Sequence, residues 1–409
     1  MEPTLLLQLV STKVQNRLVS ALQRLTFDRD RSVSPQPVKG NHPTTPDPGI
    51  QAALYAAVEW LCLAQDASAS ADGGVARDYS LRGGWNFSYP ETTGYIAPTF
   101  ITLGRVTNNR TFIKRAKRML DWLVSKQFAS GAFQGGLVNA EPKTPVTFNT
   151  GQILIGLAAG CDEFGDEYLR PMLRAANWLV NTMDADGAWR KHPTPFASSG
   201  EKTYETHVAW GLYEAAKVTK DVRFSDAANR NLLWAISHQR PNGWFPNCCL
   251  AEPSAPLTHT IGYALRGILE GYEFSLDDRM LKAARKTATA LAASVREDGY
   301  LAGRFDSDWK PTVQWSCLTG SVQIACCFFM LHRITGEADY LDAAKRINRY
   351  VRSTMLMDGA RSVVGAVAGS YPASGGYNEN RYLSWAAKFF IDSNLLELQA
   401  TKRSFMPPQ

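Results

Sequence analysis

A unit of two helices joined by a short turn recurs along this chain at a nearly constant period, and this repeat restricts the fold more than any other sequence feature. Five consecutive copies start at Glu91, Asn149, Glu205, His259 and Leu318, with separations of 58, 56, 54 and 59 residues. Their turns fall at Asn108-Asn109, Phe164-Gly165, Thr219 to Asp221, Ser275 to Asp278 and Thr335 to Asp339. Three of the second helices carry an apolar Trp/Leu pair, Trp122-Leu123, Trp178-Leu179 and Leu233-Trp234. Each of these closes on a small turn with an aromatic tail: Gly131 before Phe133, Gly187 before Trp189, Gly243 before Trp244. Asp298-Gly299-Tyr300 closes a fourth in the same way. Glycine there supplies the positive φ that ends a helix.

A sixth copy is divided between the two ends. Residues Asn380 to Leu398 read as a first helix with no second helix after it, and Ile50 to Gln65, with Trp60-Leu61 and then Asp72-Gly73-Gly74, read as a second helix with no first. A hairpin shared by both ends closes a ring, whereas an open solenoid needs polar caps. The expected fold is all-α: an (α/α)6 toroid, or barrel, with the sixth hairpin shared by the N- and C-termini, over residues 48–400. Residues 1–27 form an amphipathic segment in which Leu5, Leu6, Leu9, Val10, Val14, Leu18, Leu22 and Leu25 recur at helical spacing. Residues 28–47 are a Pro-rich linker, and 401–409 a tail. The basic polar face of residues 4–25 suits docking on the protein's own body or a partner subunit, or peripheral contact with a membrane surface.

Composition narrows the partners. With 45% hydrophobic and 20% charged residues the chain is an ordinary globular one. Its 44 Lys+Arg against 38 Asp+Glu leave a net charge of +6, with no block of five basic residues, so nucleic-acid binding is not expected. Lys13, Arg17 and Arg24 interrupt the first apolar stretch, which is no secretory signal. Seven cysteines without CxxC spacing favour free buried thiols over a disulfide scaffold or zinc site, and a reducing, cytoplasmic location, free or peripheral to the membrane through residues 4–25, is expected. Pro311 to Leu331 carries no formal charge, and its Gln314, Ser316, Thr319, Ser321 and Gln323 make it a helix buried all round rather than a membrane span. There is no Walker A loop, dinucleotide fingerprint, HExxH or GxSxG elbow, and neither a metal nor another cofactor is expected.

The Trp-Leu, Gln and Gly-aromatic endings, the period and the split closing hairpin resemble two groups of toroids over about residues 48 to 400. These are the six-hairpin glycosidase-like proteins, and the terpenoid cyclases with the protein prenyltransferases. More narrowly, Asp72 to Tyr79 followed by Gly83-Gly84-Trp85 and Ser88 to Ile96 resembles a segment of the VpsJ-like proteins of bacterial exopolysaccharide clusters. That resemblance implies a saccharide of the exopolysaccharide type and carries no reaction with it. The acid motif of the cyclases is absent: Asp306-Ser307-Asp308 is only a loose counterpart, and Asp277-Asp278 occupies an ordinary helix-capping position.

In a toroid the loops that feed the inner helices gather at one end, so function is sought at inner-helix N-termini. Those positions form a polar, aromatic ring: Tyr89, Glu91 and Tyr95; Phe148, Asn149 and Gln152; Tyr204, Glu205 and His207; His259 and Tyr263; Gln314, Trp315 and Gln323; and Tyr377, Asn378, Glu379, Arg381 and Tyr382, with Arg77, Asp78, Trp85 and Asp306 from the loops. Aromatic faces beside carboxylates, amides and arginines suit a sugar, whose C–H faces stack while its hydroxyls are oriented by polar groups. Glycoside cleavage needs two carboxyl groups, for which Glu91, Glu205 and Glu379 are the candidates. His207 and His259, two of only six histidines, suit proton abstraction in an epimerase or isomerase. The N-acylglucosamine 2-epimerase group, itself an α/α toroid, is thought to use such residues, although its motifs are not matched here. A ring that binds glycan without an acid/base pair, as a subunit of polysaccharide assembly, is the third reading.

Overall fold

The computed structural model describes residues 42–43 and 45–405. The amphipathic segment, and the linker up to residue 41, lie outside the described residues. Twelve α-helices follow: α1 (Ile50–Asp66), α2 (Pro90–Thr107), α3 (Arg110–Lys126), α4 (Thr147–Phe164), α5 (Leu169–Thr182), α6 (Thr206–Thr219), α7 (Val222–Ser237), α8 (Thr258–Ser275), α9 (Asp278–Ala293), α10 (Leu318–Thr335), α11 (Ala338–Arg352) and α12 (Ser384–Ala400). Helices α2, α4, α6, α8, α10 and α12 pack side by side in a closed inner ring, and the other six cover them. The split hairpin forms as expected, with α12 against α1. Composition explains the two shells. Helix α10 has no exposed residue between Leu318 and Leu331, whereas α3 buries only Ala116, Met119, Leu120, Trp122 and Leu123, one face at helical spacing. The uncharged stretch from Pro311 to Leu331 is therefore an inner helix only from Leu318 on, its first residues forming an exposed loop and a short strand, and no described helix is long and apolar enough to cross a membrane.

The recurring Trp, Gln and Gly endings have a common mechanical role. Gln65, Gln127 and Gln239 each donate Nε2 to the carbonyl of the following turn, at Gly73, Gly131 and Gly243, and to a backbone carbonyl of the next outer helix, at Arg115, Pro171 and Ala283. One amide thus ties a turn to its neighbouring repeat. Gly131 needs both its freedoms there: φ is +100°, and a Cβ would lie 2.4 Å from the Arg174 carbonyl oxygen. Three of the outer helices, α3, α7 and α9, begin on side-chain caps, Asn109, Asp221 and Asp277, whose oxygens accept the N–H two residues on. Asp277 is thus a cap, as its position implied.

The long loops before the inner helices carry the few strands. A three-stranded antiparallel sheet, in the order β2 (Gly84–Trp85), β1 (Asp78–Ser80), β5 (Arg381–Leu383), pairs Asp78 with Leu383 and Ser80 with Arg381. It locks the first mouth loop to the last across the closure. A second, two-stranded sheet pairs β3 (Ser316–Cys317) with β4 (Ser370–Tyr371). Arg352 reinforces the same closure in the interior, donating to Asp47, Asn394 and Glu397.

Candidate active site

The inner-helix N-termini and the loops before them enclose a cavity of about 240 Å³ lined by sixteen residues, among them Arg77, Tyr89, Glu91, Tyr95, Phe148, Tyr204, His259, Tyr263, Tyr377, Asn378 and Trp385. Among the described residues, Glu91 is the only carboxyl group in that lining. It sits in the first turn of α2 behind Pro90, a residue suited to the first helical position. Its Oε2 accepts a hydrogen bond from Tyr89 Oη at 3.2 Å. Burial among aromatic rings raises its pKa to about 7, against the lowering influence of the Tyr89 hydroxyl and the Arg77 charge. At neutral pH the group is poised between acid and base.

His259 occupies the second position of α8 and lines the same cavity. Its Nδ1 lies 2.8 Å from Gln323 Oε1. An amide oxygen only accepts, so Nδ1 carries the proton and Nε2 keeps its lone pair. Burial lowers the pKa of the ring to about 4, leaving it a neutral base. His207 repeats the arrangement two helices earlier: it holds the second position of α6, and its Nδ1 lies 2.7 Å from Gln152 Oε1. Gln152 and Gln323 are both the sixth residues of their helices. One difference separates the two histidines. His207 is fully enclosed, with the Tyr263 ring 4.5 Å away and Phe148 and Trp210 around it, and its Nε2 has no partner. Tyr263 stands between the two imidazoles, 4.5 Å from each.

Arg77 reaches the cavity from the loop after α1. Its guanidinium lies over the Tyr89 and Trp385 rings, 5.9 and 5.2 Å from their centroids, and Nη2 donates to Asn378 Oδ1 at 2.9 Å. Behind it Asp78, fully buried, accepts from Arg77 through one carboxylate oxygen and from Arg381 Nη1, at 2.6 Å, through the other. Strand pairing between β1 and β5 brings Asp78 and Arg381 together.

Several expected ring members stand elsewhere. Glu205 is buried outside the cavity lining, near Lys202 and Arg190, and burial holds its carboxyl well above the usual range. Its neighbour Tyr204 lines the cavity instead; both residues precede α6, in a 3₁₀ turn at Thr203–Glu205. Glu379 is exposed on a loop and accepts from Asn380. The expected meeting of Glu91, Glu205 and Glu379 across the ring is therefore not what the lining shows. His207 and Gln152 lie beneath the floor rather than in it, and Asn149 is fully buried with both amide atoms unpartnered. Trp85 packs on Trp60 and Tyr79, Tyr382 pairs with Tyr79 in the sheet, and Trp315 packs against Gly303. Asp306 accepts the N–H groups of Asp308 and Lys310 in a turn.

Trp385 and the mouth residues Thr194, Phe196 and Leu250 line the cavity without having been expected there. Trp385 follows Ser384 at the start of α12, the same register as His207 and His259, so repeat alignment carries a signal for it. The loop residues carry none.

No family model matches the chain, and no curated protein matches it. Solved structures do. An unsaturated glucuronyl hydrolase specific for heparin aligns with a TM-score of 0.71 at 16% identity, covering 87% of this chain and 98% of that one. A D-mannose isomerase aligns at 0.69 and 10%, covering 86% and 97%. Cellobiose 2-epimerase from Bacillus thermoamylovorans aligns at 0.65 and 12%, covering 84% and 97%. Closed over its full circuit by α1 and α12, the chain has the α/α toroid fold, which it shares with these enzymes.

Proposed function

We propose that this protein is a carbohydrate-active enzyme that cleaves a saccharide of the exopolysaccharide type, with Glu91 as general acid and His259 as the base that activates water. The observation that carries the reading is Glu91 itself, a half-buried carboxyl group lining an aromatic cavity and held protonated up to about pH 7. Protonation of the leaving oxygen by Glu91 removes the main barrier to breaking a glycosidic bond, and Nε2 of His259 takes the proton of the incoming water. A histidine in place of the usual second carboxylate follows from the lining, in which Glu91 has no carboxylate partner. The cavity is smaller than the pockets that enclose drug-sized ligands, which suits the terminal sugar of a chain whose remainder lies across the mouth at Phe196. The overall likeness to enzymes named for hydrolysis, epimerisation and isomerisation of sugars supports a saccharide ligand.

One observation favours a second reading. The bare Nε2 of His259 in a cavity with a protonated Glu91 also suits removal and return of a proton at a carbon beside a carbonyl, which is epimerisation or isomerisation. The pair would then be Glu91 and His259, because His207 is screened by Tyr263. Incubation with oligosaccharides in D2O separates the two. Cleavage produces new reducing ends without deuterium at carbon, and epimerisation the reverse. Loss of turnover with retained binding in Glu91→Gln and His259→Gln is expected for either. Full turnover in both variants refutes the assignment of this cavity, whereas binding without turnover in the wild type replaces the enzymatic reading with a ring that only binds glycan.

A further inference from the structure

We propose that the sugar held in this cavity is anionic, and that Arg77 receives its charged group, a carboxylate, sulfate or phosphate on the ring. The inference rests on the reading of the cavity as a saccharide site and adds the class of saccharide. It follows from how the charges around Arg77 are balanced. One fully buried carboxylate, Asp78, is shared between two guanidinium groups, Arg77 and Arg381, with one oxygen committed to each. The three groups together therefore carry one uncompensated positive charge, and Arg77 is the member that lines the cavity. Glu91 does not neutralise it by contact, since its carboxyl is bonded to Tyr89.

Geometry makes the guanidinium a receptor. Arginine has five N–H donors, of which the described contacts of Arg77 use two, to Asp78 and to Asn378 Oδ1. Its plane is held over Trp385 and Tyr89, so it is pre-ordered and little rotamer freedom is lost on binding. The remaining donors present a planar fork within a partly desolvated cavity, where two oxygens of an anion are bound bidentately. A neutral hydroxyl would accept from the same fork but would leave the surplus charge unmatched.

Binding of D-glucuronate, glucose 6-sulfate, glucose 6-phosphate and D-glucose to the intact chain by titration calorimetry tests the proposal. At least one anionic sugar is expected to bind about tenfold or more tightly than glucose, the scale of a charge-assisted bidentate contact, and to weaken as salt is added. The sugar with the margin identifies the anion. Arg77→Met is expected to abolish the margin. Asn378→Asp, which keeps the arginine but places a carboxylate on Nη2, is expected to reduce it too and covers the case in which Arg77→Met does not fold. Equal affinity for neutral and anionic sugars in the wild type overturns the proposal, as does a margin that survives in both variants. Glu91-dependent turnover of a neutral oligosaccharide without any margin sinks this inference and leaves the enzymatic reading standing. A margin with no turnover of any glycan does the opposite.

Discussion

Replacing Glu91 by Gln should stabilise the protein at alkaline pH and do little at acid pH. The carboxyl titrates near 4.5 when exposed in the unfolded chain and near 7 in the folded cavity. Between those values the folded state holds a proton that the unfolded state has lost, so unfolding free energy falls as pH rises. At 1.36 kcal/mol per pKa unit the whole span is worth at most about 3.4 kcal/mol, of which about 2.5 kcal/mol is lost between roughly pH 5 and pH 8. Glutamine is nearly isosteric, still accepts the Tyr89 hydroxyl and never ionises, so the variant escapes this loss. An unfolding entropy of about 2.1 cal/mol/K per residue turns 2.5 kcal/mol into roughly 3 °C for a chain of 409 residues. Thermal unfolding of both proteins at a series of pH values is the assay. The difference in Tm between variant and wild type should grow by that amount from pH 5 to pH 8. A difference that stays flat would falsify the claim that burial holds this carboxyl near neutrality, and with it the acid role, whatever the activity of the variant.

Three further outcomes follow from the same geometry. Activity should be bell-shaped in pH, falling below about pH 4 as His259 protonates and above about pH 7 as Glu91 ionises; a profile rising steadily through pH 9 contradicts both roles. Tyr89→Phe deletes the hydroxyl that helps hold Glu91 ionised, so the alkaline limb should move to higher pH, and a downward move refutes that bond's role. Gly131→Ala forces a side chain into a positive-φ position 2.4 Å from a carbonyl oxygen and should cost about 2 to 4 kcal/mol, read as a drop in denaturation midpoint; a loss under about 0.5 kcal/mol means the turn relaxes freely.

The repeat made the fold legible because each hairpin is a local object. Apolar periodicity, the Asp277 cap and the Trp, Gln and Gly endings are short-range features, and their spacing placed the start of the outer helix α1 at Ile50 and brought the inner-helix starts within a few residues. The closure by α1 and α12 was equally readable, since two half-hairpins at opposite ends have one way to bury their apolar faces. Site membership was readable at the inner-helix starts and, for Arg77, Tyr89, Tyr204 and Asn378, in the segments that lead into them. Glu91, Tyr95, His259 and Tyr263 stand on inner-helix first and second turns and do line the cavity. Glu205 does not, because it precedes its helix in a 3₁₀ turn, whereas Glu91 is the second residue of α2, the place that His207 holds in α6.

Sequence by itself therefore determined the ring: its six hairpins, the two shells set by hydrophobic pattern, and which ends of the inner helices face the site. Only the tertiary structure decided the chemistry. It set Tyr263 between two otherwise equivalent histidines, leaving one at the cavity and enclosing the other. It also gave Arg77 and Arg381 a single buried carboxylate to share, although they lie some three hundred residues apart. The physical reason is range. Helix formation and amphipathic burial depend on neighbours within a turn or two, whereas a pKa, a tautomer or an uncompensated charge depends on groups that meet only when the ring closes.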